Sequence, residues 1–140
     1  MALKQCVTGF AWFALSLVAQ NQETYKARLA PVAIDASMKA NVAGTGSVSA
    51  VLAGTKLSIT GTFERLRSPA TVAHLYQGRV TGVRGSSILD LTVSKAISGT
   101  VTGSFDLTAE QVESLRKGRL YVQIHSEKAP DGNLWGWLLR

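Results

Sequence analysis

The strongest constraint on this chain is an alternation. From Thr24 onward, core-forming residues recur at every second position, and Gly, Pro, Ser or Asn break the pattern about every ten residues. Tyr25, Ala27 and Leu29 fall on one face, with Lys26 and Arg28 on the other. Gly46, Val48, Ala50 and Leu52 oppose Thr45, Ser47 and Ser49 in the same way. After Ala53-Gly54 the period resumes through Leu57, Ile59, Gly61 and Phe63, so residues 45–63 read as a hairpin. Further runs are Thr71–Tyr76, Ser87–Val93, Gly99–Leu107, Arg119–His125 and Leu134–Leu139. Turns are expected at Ser68-Pro69, Gly82–Gly85, Ser98-Gly99 and Pro130-Asp131-Gly132-Asn133. Eight short strands with half-apolar faces predict an all-β, antiparallel sandwich or barrel.

One helix is expected before the penultimate strand. Thr108 is placed to cap it, Gln111 completes a capping box, and Leu107 with Val112 supplies a hydrophobic staple. Val112 and Leu115 share a face, Arg116 and Lys117 occupy the last turn, and Gly118 ends it.

The first twenty residues stand apart. Lys4 is their only charge, and the apolar stretch Cys6–Ala19 is 14 residues long, short of the roughly 17–25 that span a bilayer. A positive start, a short apolar segment and small residues at the exit describe a secretory signal peptide over 1–20, with one domain over 24–140. A buried N-terminal helix or an uncleaved anchor is the alternative. Removal of the leader takes the single Cys6 with it and leaves 14 basic against 9 acidic residues, a net charge of +5 in place of +6. No disulfide or Cys-based zinc module is then available. The expected location is the periplasm or the extracellular space, with no transmembrane anchor after cleavage.

Motifs for covalent catalysis are absent from the sequence: there is no Gly-x-Ser-x-Gly turn, no phosphate-cradling loop and no His-Glu-x-x-His. The basic residues Arg65/Arg67, Arg79/Arg84 and Arg116/Lys117/Arg119 form no continuous run and do not interleave with aromatics, which argues against nucleic acid. A dispersed positive charge suits contact with an envelope or matrix polyanion.

The strand phase singles out one group of side chains. With Ala73 and Leu75 directed inward, His74 and Tyr76 point outward; with Leu120, Val122 and Ile124 inward, Tyr121, Gln123 and His125 point outward. On the last strand Leu134, Gly136 and Leu138 match the inward set, leaving Trp135 and Trp137 outside. If these strands are neighbours, one outer face carries His74, Tyr76, Tyr121, Gln123, His125, Trp135 and Trp137. Two histidines fall short of the three or four ligands of an ordinary zinc or copper site, so plain surface hydrogen bonding competes with metal binding. Two outward tryptophans make an apolar patch that a loop or helix must cover, or that binds a sugar, a partner or a second copy of the chain.

These motifs resemble the CHRD domain, first recognised in chordin and common in exported bacterial proteins. The matching stretches are Ala73-His74-Leu75-Tyr76-Gln77-Gly78, the turn through Gly82–Gly85, Leu107-Thr108-x-x-Gln111-x-x-x-Leu115-x-x-Gly118, Tyr121-Val122-Gln123-Ile124-His125-Ser126 and Pro130-x-Gly132-x-Leu134-x-Gly136-x-Leu138. Family members typically read Ala-His-Ile-His at the first motif, and this chain has Tyr76 in place of the second histidine. The family is also similar to a reduced Cu/Zn superoxide dismutase. That resemblance implies a Greek-key sandwich and puts His74 and His125 on two copper-ligand positions, with Tyr76 replacing a third. The long His- and Asp-rich zinc loop and the cysteine pair of that enzyme are missing, so dismutase activity is not expected. The resulting expectation is an exported, non-catalytic binding module with no obligatory cofactor, whose ligand face is Tyr76, Tyr121, Gln123, Trp135 and Trp137. The alternative is a copper- or zinc-binding protein using His74 and His125.

Overall fold

Apolar side chains at every second position commit each strand to one buried face, and eight such faces are satisfied together when the sheet closes on itself. The computed structural model describes residues 22–32 and 35–140. The strands are β1 (Gln22–Pro31), β2 (Thr45–Ala53), β3 (Lys56–Glu64), β4 (Ala70–Gln77), β5 (Ser86–Val93), β6 (Gly99–Asp106), β7 (Leu120–Ser126) and β8 (Ala129–Trp137), with helix α1 (Ala109–Arg116) before β7. They form a closed antiparallel barrel in the order β1-β2-β3-β6-β5-β4-β7-β8. Because β3 pairs with β6 and β4 with β7, the chain makes Greek-key crossings after β3 and after β6. The proposed leader, 1–20, lies outside the described residues.

The inward set is the one the alternation picks. Leu29, Ala50, Leu57, Leu75, Val101, Leu120, Val122, Ile124 and Leu134 are buried in one core with Val112 and Leu115 of α1. Each large aliphatic side chain so placed contributes roughly 1.5–3 kcal/mol. The α1 cap forms as expected: the Thr108 hydroxyl accepts from the Gln111 amide while the Gln111 side chain accepts from the Thr108 amide. Gly118, at φ 71°, supplies the left-handed turn that releases the chain into β7.

Two expectations need correcting. Pro130-Asp131-Gly132-Asn133 is part of β8, and the β7–β8 reversal falls at Glu127-Lys128. A bulge between Ile124 and Ser126 accommodates the stretch, and its hydrogen bonds hold it in the sheet. The buried Asn133 side chain donates to Ser126 Oγ at 2.9 Å and accepts from the Ala43 amide at 3.2 Å. The second correction is a 3-10 turn at Ala36–Met38, capped by Asp35, in a segment for which the alternation predicts nothing.

Candidate functional site

The topology makes β4, β7 and β8 neighbours, so the outward residues of the three strands meet. Register sets them in rows across the sheet: His74 faces Gln123, which faces Trp135; Tyr76 faces Tyr121, which faces Trp137. Close cross-strand pairing of this kind lets aromatic side chains touch directly. Tyr76 stacks on Tyr121 with centroids 5.0 Å apart and planes 11° from parallel. Tyr121 in turn meets Trp137 at 4.3 Å and Trp135 at 5.6 Å. His74 meets His125 edge-on at 5.7 Å. All seven residues singled out from the sequence therefore belong to one cluster.

The face is not a solvated one, as the alternation implies. Tyr121, Gln123 and His125 are only 1%, 3% and 8% exposed, and Trp135 and Trp137 are half-buried. The cover is the β4–β5 loop, residues 78–85. Its anchors are the Gly78 amide donating to Arg119 O at 2.8 Å, the Thr81 hydroxyl donating to Gly118 O at 2.7 Å, and the Gly85 amide donating to the Tyr121 hydroxyl at 3.1 Å. The Arg84 guanidinium lies 5.3 Å over the Trp135 ring. Trp135 also packs against a small buried cluster of Val32, Val42 and Ala129. The two tryptophans are therefore partly covered and keep part of their rings exposed. The loop fits this closely because residue 85 is glycine: a Cβ there would collide with the Gln77 carbonyl oxygen.

His125 is held in a single tautomer. Its Nδ1 lies 2.8 Å from the Pro130 carbonyl oxygen, which can only accept, so Nδ1 carries the proton. The lone pair on Nε2 then accepts from the Tyr76 hydroxyl at 2.8 Å. Burial is the main cause that holds His125 below its ordinary pKa, while the Pro130 carbonyl opposes this by favouring the cation. Burial pushes the Tyr76 phenol up, so it keeps its proton. Gln123 Nε2 lies 3.3 Å from His125 Nε2 and donates to Asp131 O at 3.4 Å, whereas its Oε1 is buried and finds no partner among the described residues. At the half-exposed end, His74 Nδ1 sits 2.8 Å from Asp90 Oδ1.

His125 Nε2 is engaged by Tyr76, and among the described residues His74 and His125 are not joined by a third His, Cys, Asp or Glu in a group that could hold an ion. Arg84, Gly85, Asp90, Pro130 and Asp131 also belong to the site, and the sequence does not single them out as site residues. Asp90 was the most accessible of these, since the β4–β5 hairpin pairs it with His74. The register shift between Leu75 and Tyr76 hides that pairing from simple counting along the hairpin.

Among the described residues, no helix is long and apolar enough to cross a membrane. No curated protein and no solved structure matches the chain. The CHRD domain family model matches residues 25–138, from the first core residue of β1 to the Leu138 that follows β8. With the match spanning nearly the whole barrel, the chain belongs to the CHRD-domain family.

Proposed function

We propose that this CHRD-domain protein is exported and acts as a non-catalytic binding module whose ligand face is the outer surface of β4, β7 and β8. The observation that carries the reading is the aromatic layer itself. Tyr76, Tyr121, Trp135 and Trp137 are set in cross-strand register, with Arg84 and His74 as polar groups at its margins. The half-buried rings of Tyr76, Trp135 and Trp137, backed by the buried Tyr121, suit a ligand that offers a flat apolar face and hydrogen-bonding edges, such as a sugar ring of an envelope or matrix glycan. Export is supported by the leader-like composition of residues 1–20 and by the extracellular character of the family it resembles.

Affinity electrophoresis in gels carrying envelope polysaccharides tests the ligand face. Retardation of the wild-type protein that is lost in Trp135→Ala is the expected result. Equal retardation of both proteins removes the face from the reading. Stoichiometric copper or zinc binding that disappears in His125→Ala would replace it with a metal-binding one. Fractionation of cells expressing the full chain tests export, which cytoplasmic retention of the uncleaved chain would overturn.

A further inference from the structure

The chain has three tyrosines, and they sit in three different proton environments. Tyr25 donates to the Glu23 carboxylate at 2.9 Å. That carboxylate is held below the usual range chiefly by Arg116, which makes it a poor base, and the Arg140 guanidinium lies 5.8 Å from the Tyr25 ring centroid. Tyr121 points its hydroxyl at the Gly85 backbone, accepting from the amide at 3.1 Å with the carbonyl oxygen 3.5 Å away. Neither Gly85 group is a base. Tyr76 alone donates to a neutral imidazole nitrogen, at 2.8 Å.

This difference governs one-electron chemistry. A phenol that loses an electron becomes a strong acid, so its oxidation is eased where a base within about 2.6–3.2 Å takes the proton in the same step. We infer that Tyr76 and His125 form a proton-coupled one-electron donor, fed through Tyr121, Trp137 and Trp135. In the step, a high-potential outer-sphere oxidant of the metal(III) polypyridyl class takes one electron from the ring system and is reduced to the metal(II) complex. The Tyr76 O–H bond breaks, its proton bonds to His125 Nε2, and the products are a neutral Tyr76 radical, an imidazolium and the reduced oxidant. A one-electron reductant of the ascorbate class restores the phenol as His125 returns the proton. Each domain holds one oxidising equivalent until then.

Three features fit His125 to receive that proton. Its Nδ1–H already donates to Pro130, so the cation forms without reorienting the ring. The ring is buried, only 8% exposed, so bulk water does not carry the transferred proton away. The unpartnered Oε1 of Gln123 belongs to an amide whose nitrogen now faces His125 Nε2, so a flip of that amide supplies an acceptor for the new N–H. The path for the electron is continuous: Tyr76 stacks on Tyr121, which touches both tryptophans, and these are half-exposed where the oxidant approaches.

The test oxidises the full chain with photogenerated tris(bipyridine)ruthenium(III), freezes it, and records the radical by electron paramagnetic resonance. The wild-type protein is expected to trap a neutral tyrosyl radical. Tyr25→Phe should retain that signal and Tyr76→Phe should lose it, leaving tryptophan radical. His125→Gln, shown to be folded by circular dichroism, should also lose it although Tyr76 is intact. Absence of a tyrosyl signal in wild type, its survival in Tyr76→Phe, or wild-type yield in folded His125→Gln would each overturn the assignment. Should His125→Gln fail to fold, the comparison of Tyr76→Phe with Tyr25→Phe decides alone.

Discussion

The barrel has two outer faces built by the same rule and used in opposite ways. On β2, β3 and β6 the outward positions hold Ser47, Ser49, Thr60, Thr62, Thr100 and Thr102, with Thr60 opposite Thr102 and Thr62 opposite Thr100. Five of these six are exposed and Ser49 is half-buried. On β4, β7 and β8 the outward positions hold aromatics and histidines, and the β4–β5 loop covers them. Both faces back onto one core and share one period. What separates them is the free energy of leaving the side chains wet. Hydroxyl groups on a twisted sheet are satisfied by solvent, whereas an unbroken aromatic surface is stabilised by a cover.

Substitutions at matched positions test this contrast. Tyr121→Ala should cost about 3–5 kcal/mol in denaturant melts, as expected for truncating a large buried aromatic side chain. A cost near zero would mean that the covered face behaves like the open one. Gly85→Ala should cost about 1–3 kcal/mol by pushing the loop off Gln77. Its tryptophan fluorescence should shift to the red as Trp135 and Trp137 gain solvent, and an unchanged spectrum would show that the loop is not the cover.

The third substitution reads pH. Burial lowers the folded pKa of His125 below its ordinary 6.5, so the unfolded chain takes the proton first as pH falls. The stability this histidine contributes is complete above pH 6.5 and is lost as pH drops through 6.5 toward the folded value. In wild type, stability should therefore decline on acidification through this range, and His125→Gln should show a shallower decline. Equal slopes would place His125 in contact with solvent. The smallest effect is expected for Thr62→Val on the open face, within about 0.5 kcal/mol. A larger loss there would reveal a role for the hydroxyl rows.

Much of this was legible in the sequence. The inward phase of β2, β3, β4 and β7, the Thr108 cap and the membership of the aromatic–histidine cluster all follow from short-range periodicity and local hydrogen bonding. Pro130–Asn133 misleads because its turn-like composition is overruled by a buried Asn133 that bonds to Ser126 and Ala43. That partnership spans 90 residues in the Ala43 bond, a separation at which no local rule operates. Asp90 is hidden for a local reason: a bulge shifts the register of the hairpin that pairs it with His74.

By itself, the sequence determined which side chains leave the core, because the sign of each position follows from a period of two. Tertiary structure decided what those side chains meet. Strand order brought β4, β7 and β8 together, and loop 78–85 closed over them. The tautomer of His125 was chosen by a carbonyl on the neighbouring strand. Each of these depends on contacts between distant segments, which are set by the closure of the whole barrel and not by the residues on either side.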